Sequence, residues 1–168
     1  IHSWSGIGIK SIITKHDLDA IAQKERVARR VAKARVLIID EISMLAGETF
    51  DSVEWVCRTL RRSSEPFGGL QVILVGDFFQ LPPISRSPTP IPNSSSIRFS
   101  FNSTVWQRAK LVVCYLSEQH RQEDPIYLRA LTAIRQNEVT TTVRECLLGR
   151  CLTPPADNKI TKLFPHNV

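Results

Sequence analysis

Two adjacent carboxylates, Asp40 and Glu41, follow directly on the aliphatic run Val36-Leu37-Ile38-Ile39. Like charges side by side at the end of a buried strand either rest in solvent or do chemistry. The chemistry open to them is specific. An aspartate offers hard oxygen ligands to a divalent cation, and a glutamate beside it can take a proton from an attacking water. A second apolar run, Gln71 to Val75, ends in Gly76-Asp77 and leads to Gln80 and a stiff Leu81-Pro82-Pro83. A neutral amide just past a strand end donates to a phosphate oxygen while its carbonyl contacts water. Gln80 therefore suits the sensing of a terminal phosphate, against the alternative of a solvated residue in a proline-stiffened turn. Arg121 follows a third apolar run and precedes Asp124. A guanidinium there could hold a phosphoryl group bidentately, although a loop arginine is more commonly a surface residue.

These residues need elements to place them. The β-branched runs 36–40, 71–77 and 111–116 read as buried strands. Between them, residues 17–34 form a helical pattern with Leu18, Ile21, Ala22, Ala28, Val31 and Ala32 on one side. Phe50, Val53, Val56 and Leu60 continue at helical spacing, and Arg58, Arg61 and Arg62 fall in the last turn, where cations suit the dipole. Asp124-Pro125 opens a further helix. Alternating strands and helices predict an α/β fold with a parallel sheet. Ligands of such sheets gather at the carboxyl ends of the strands, which is where both polar ends fall. An apolar run into Asp-Glu is the Walker B arrangement of P-loop NTPases, where the acids serve Mg²⁺ and the water that attacks the γ-phosphate. The Pro- and Ser-rich stretch 85–96 reads as an exposed loop insertion, and 153–168 as the start of a connection to a further domain.

The chain has 168 residues, 42% hydrophobic and 23% charged, which suits one domain with a core. Lys and Arg number 22 against 16 acids, a net +6 that favours an anionic partner, nucleic acid before membrane. No apolar run approaches a membrane span, and the N-terminus lacks a signal-peptide core. The first residue is Ile1, not Met, so the sequence is expected to be a fragment. Cys57, Cys114, Cys146 and Cys151 form no C-x-x-C pair and read as reduced thiols of an intracellular protein. The basic residues of 17–34 read as a solvated outer face in preference to a DNA-binding one. A phosphate-cradling loop has the form G-x-x-x-x-G-K-[ST], and the chain holds no Gly-Lys pair. Lys10-Ser11 imitates its end, but Ile9 precedes the lysine. The expectation is a cradle upstream of Ile1.

Taken together, IHSWSGIG, VLIIDEISM, FGGLQVILVGDFFQLPP, HRQ and TKLFPHN resemble the Pif-type (petite integration frequency) DNA helicases of superfamily one, in order and spacing, over nearly the whole chain. The resemblance implies a RecA-like motor domain, ATP and Mg²⁺ as cofactors, and 5′-to-3′ movement on single-stranded DNA. Forked or G-quadruplex DNA would be unwound in repair, recombination and telomere maintenance. It makes Asp40 the magnesium-binding acid, Glu41 the general base, Gln80 the γ-phosphate sensor and Arg121 a phosphate-contacting arginine. His120 stands where the family has an aromatic residue before that arginine. His2, Ser3, Trp4, Gly6 and Gly8 would lie against single-stranded DNA, with a core role for Trp4 as the alternative. His166 and Asn167 would touch DNA as well, although His166 replaces the usual Thr. The implied protein is monomeric and intracellular, nuclear or mitochondrial if eukaryotic. Two other readings remain: a non-catalytic nucleic-acid-binding module that keeps the fold, and a RecD-like or initiator-type ATPase.

Overall fold

The computed structural model describes residues 1–84 and 99–152. They fall into two compact units, Ile1–Cys114 and the described residues from Tyr115 onward. The loop expected at 85–96, the connection at 153–168, and His166 and Asn167 lie outside the described residues.

The first unit centres on a βαβ crossover. Strand β1 (Val36–Ile39) pairs in parallel with β2 (Gln71–Leu74), with Val36 level with Gln71 and Ile39 level with Leu74. A parallel pair needs a long connection, and here α4 (Gly47–Arg61) supplies it. Phe50, Val53, Val56 and Cys57 on α4 are fully buried. They meet Leu37 and Ile39 on one sheet face, Val31 from the helical segment before β1, and Phe67 in the turn before β2. Burial raises the Cys57 thiol to about 12, aided by nearby Glu54, so this cysteine acts as an apolar core residue. Both predicted strands form, but each pairs only through its first four residues.

The helix expected over 17–34 is instead two helices, α2 (Lys15–Ala22) and α3 (Glu25–Lys33). The reason is one of phase. In one continuous helix, Ile21 and Val27 would point about 120° apart, on different faces. The break at Gln23-Lys24 resets the rotation, so that Leu18, Ile21, Val27 and Val31 are all buried. Ala22 and Ala32 are exposed, contrary to the predicted apolar face. A capping box opens α2: Thr14 accepts from the Asp17 amide, and Asp17 accepts from the Thr14 amide. Arg61 at the end of α4 closes α3. Its Nη1 donates to the carbonyls of Val31, Ala32 and Ala34 at 3.2, 3.0 and 2.9 Å, and its Nε to Gly68 at 2.7 Å.

The third predicted strand does not form. Residues 111–116 pair with no strand among the described residues, and Val112, Val113, Tyr115 and Leu116 are exposed. An apolar, β-branched run has strand propensity, but the ladder needs a neighbour to bond with.

In the second unit, α6 (Pro125–Arg135) begins as expected, with Asp124 Oδ1 accepting from the amides of Ile126 and Tyr127. It packs against α7 (Thr141–Leu152). Asn137 in the left-handed region ends α6, with the Asn137 and Glu138 amides returning to Ile134 and Ala133.

Candidate nucleotide and nucleic-acid site

Parallel pairing puts the carboxyl ends of β1 and β2 side by side. The ladder runs on past both strands: the Val75 amide donates to Ile39 O at 2.9 Å, and the Ile42 amide to Val75 O at 3.0 Å. Asp40 and Glu41 therefore sit between two clamped points, level with Val75 and Gly76. Glu41 occupies the left-handed region, φ 52° and ψ 46°. A non-glycine residue there costs on the order of 1 kcal/mol, and the surroundings must enforce it. Asp40 Oδ1 accepts from the Glu41 amide at 2.9 Å. On the far side, Ser100 Oγ reaches Ile42 O at 3.4 Å, and Phe99 bridges to Ala46. Gly76 makes room for the turn: a Cβ there would lie 2.9 Å from Ile42 N and 3.0 Å from Ile42 Cγ2. Asp40 and Glu41 are exposed.

Gln80 is held beside this turn by Asp77. The Gln80 amide donates to Asp77 O at 2.9 Å, its Nε2 to Asp77 Oδ2 at 3.2 Å, and the Phe79 amide to Asp77 Oδ1 at 3.1 Å. Phe78 anchors the loop from below. Its ring meets Phe99, Phe101 and Trp106 edge-on at centroid distances of 5.7, 4.9 and 5.9 Å. Sequence reasoning missed Asp77 and Phe78 as positioning residues. An aspartate opening a turn, with its neighbour's amide in reach, was the readable signal for the first. The second had none, because Phe79 beside it is exposed.

Arg121 is exposed in the second unit, ahead of α6. His120 beside it lies 3.2 Å from Glu118.

The segment IHSWSGIG forms α1 (His2–Ser5), closed by Gly6 at φ 82°. His2 and Ser3 are exposed, whereas Trp4 is half-buried and packs against the core. The close approach at Gly6 is to α3, since a Cβ would lie 3.2 Å from Val27 Cγ1. Gly8 is open to solvent. Lys10 pairs with Asp17 at 2.5 Å, on a helix cap and not on the acidic strand end.

Among the described residues no three acids, histidines or cysteines converge as a metal-holding cluster. That still suits Mg²⁺, which binds through one or two carboxylates and completes its shell with water and phosphate oxygens. Neither of the concavities bordered by α3 and by the start of α4 includes Asp40, Glu41 or Gln80. The acidic strand end is open surface.

A parallel βαβ core with an acidic first strand end and an amide-bearing second one has the architecture of RecA-like motor domains. Residues 1–151 match the family model described as PIF1-like helicase, and the chain belongs to that family. An ATP-dependent DNA helicase Pif1 from a Psychrobacter strain is 39% identical over the whole chain, which covers 26% of that relative. Human ATP-dependent DNA helicase PIF1 is 35% identical over 90% of the chain, and the match covers 21% of it. Among solved structures, Pif1 helicase from Candida albicans superposes with a TM-score of 0.77 at 31% identity, over 93% of this chain and 34% of that one. Bacteroides Pif1 in complex with ADP-AlF3 and single-stranded DNA gives 0.73 at 31% identity, over 98% of this chain and 37% of that one. The chain thus spans about a quarter of the length of these curated relatives.

Proposed function

We propose that this chain is part of an ATP-dependent DNA helicase that moves 5′ to 3′ on single-stranded DNA and unwinds forked and G-quadruplex DNA. It would act as a monomer inside the cell, in the nucleus or mitochondrion if the source is eukaryotic. The observation that carries the reading is the alignment of the two strand ends, which puts Asp40-Glu41 and Asp77–Gln80 on neighbouring parallel strands. Family membership, a relative solved with ADP-AlF3 and single-stranded DNA, and a relative described as unwinding DNA at forked duplexes add to it.

In this reading Asp40 would be the residue that holds Mg²⁺, its carboxylate oriented by the Glu41 amide. The chemistry such an ion would supply there is neutralisation of phosphate charge. Glu41 accepts the proton of the attacking water. Its left-handed backbone breaks strand alternation, so the acid is not confined to the face that strand geometry would assign it. Gln80 Nε2 leaves Asp77 to donate to a γ-phosphate oxygen, and loss of that phosphate returns it to Asp77. The exchange would couple hydrolysis to the loop, and through Phe78 to the aromatic cluster. Arg121 would stabilise charge on the transferring phosphoryl group. His2, Ser3 and Trp4, with Gly8, would meet the DNA strand, and His166 and Asn167 would add contacts to it.

No Gly-Lys pair occurs in these 168 residues, so the chain alone is expected not to hydrolyse ATP. Robust DNA-stimulated hydrolysis by it, abolished in Glu41→Gln, would overturn that expectation. In the full-length helicase carrying this segment, Glu41→Gln should cut DNA-stimulated hydrolysis by about a hundredfold or more, with ATP binding retained. Hydrolysis at the wild-type rate would remove Glu41 as the base.

A further inference from the structure

The positive charge of this chain is not spread evenly. Residues 24–35 hold Lys24, Arg26, Arg29, Arg30, Lys33 and Arg35 against the single acid Glu25, while the rest carries sixteen cations against fifteen acids. Almost the entire net charge therefore belongs to α3 and its flanks. Arg26, Arg29 and Lys33 are exposed and recur at helical spacing. The three Cα atoms span about 10 Å along the axis. With Glu25 and Arg30 they border a concavity of about 320 Å³. Glu25 pairs with Arg29, but both side chains are largely in solvent, and exposed pairs exchange at little cost.

Arg30 links this face to α1. Its Nη2 donates to Ser3 O at 2.7 Å, while its buried Nε has no hydrogen-bond partner. The guanidinium is thus a strut from the basic row to the backbone between His2 and Trp4. A purely solvated outer face, the reading preferred from sequence, calls for neither the strut nor so one-sided a balance of six cations to one acid.

We propose that the exposed row Arg26, Arg29 and Lys33 binds the phosphate backbone of single-stranded DNA, extending the α1 contact segment along α3. Phosphate contacts need only cations within reach and release counterions on binding, which makes the affinity salt-dependent. The proposal rests on the helicase reading for its partner. Its test, run without nucleotide, can fail while Glu41→Gln still behaves as a base-deleted motor.

The experiment compares three forms of the full-length helicase: wild type, the triple variant Arg26→Gln/Arg29→Gln/Lys33→Gln, and a control of equal charge, Arg129→Gln/Arg144→Gln/Arg150→Gln, altered on α6 and α7. Binding of a fluorescent single-stranded oligonucleotide is titrated across salt, with thermal unfolding as a check on folding. The α3 variant should bind about tenfold more weakly at low salt, with a log–log salt slope shallower by about 2, while the control keeps the wild-type slope. Equal slopes in the α3 variant and the control would overturn the proposal. So would a loss confined to duplex of the same length.

Discussion

The acidic end of the sheet and the basic flank of α3 belong to one unit and are built on different plans. Around Asp40 and Glu41 the backbone is pinned at several points: Ile39 and Ile42 by Val75, Glu41 by Asp40, Ile42 again by Ser100. The acid beside the clamp even accepts left-handed geometry. Along α3, by contrast, Arg26, Arg29 and Lys33 stand on flexible stems in solvent. The difference follows the physics of the two tasks. Proton abstraction fails when a group is displaced by about an ångström, whereas attraction to a polyanion tolerates it. On the proposed reading, chemistry would occupy the rigid place and electrostatic holding the loose one.

That contrast can be attacked from either side. The largest expected effect comes from Gly76→Ala, whose methyl would meet Ile42 N at 2.9 Å. Separating the strand ends should lower kcat for DNA-stimulated hydrolysis by roughly a hundredfold and stability by about 1–3 kcal/mol. DNA affinity without nucleotide should stay unchanged. Weakened DNA binding in this variant would mean that the two regions are not separable. A middle-sized effect is expected from Arg61→Met, which strips three carbonyls at the end of α3 of their donor. Urea unfolding should register about 2–3 kcal/mol, and hydrogen exchange should rise in the last turn of α3 and not at β1. The smallest concerns α2, the neutral neighbour. Lys10 and Thr14 hold the Asp17 carboxyl well below the usual carboxylate range. A depressed folded pKa contributes stability above the unfolded value and loses it as pH falls toward the folded one. The Tm gap between wild type and Asp17→Asn should therefore be widest near neutrality and close below about pH 4, with DNA affinity unaffected throughout.

The strand ends were readable in advance because they combine two signals that rarely coincide, a β-branched run and a polar residue type with a definite chemistry. The α6 start was readable for a similar reason, since Asp124-Pro125 fixes it by local bonding alone. The rest depended on contacts that spacing does not encode. The division of 17–34 turns on the rotation between Ile21 and Val27, and no Gly or Pro marks it. Residues 111–116 have the composition of a strand, but composition does not supply a neighbour. Arg61 looked like a dipole-compensating cation, yet its partners are the carbonyls of another helix, 27–30 residues away. Trp4 rests on the core, the alternative offered for it, beside exposed His2 and Ser3.

The ring contacts under the Gln80 loop give the molecule an optical property. Trp106 lies 5.9 Å from Phe78, the ring that anchors the loop, and 6.0 Å from Phe50 in the buried core. An indole in that setting is a built-in fluorophore whose emission follows the polarity around Phe78. With Trp4 and Trp55 replaced by phenylalanine, emission from this segment would report directly on the packing beneath the Gln80 loop, with no dye attached.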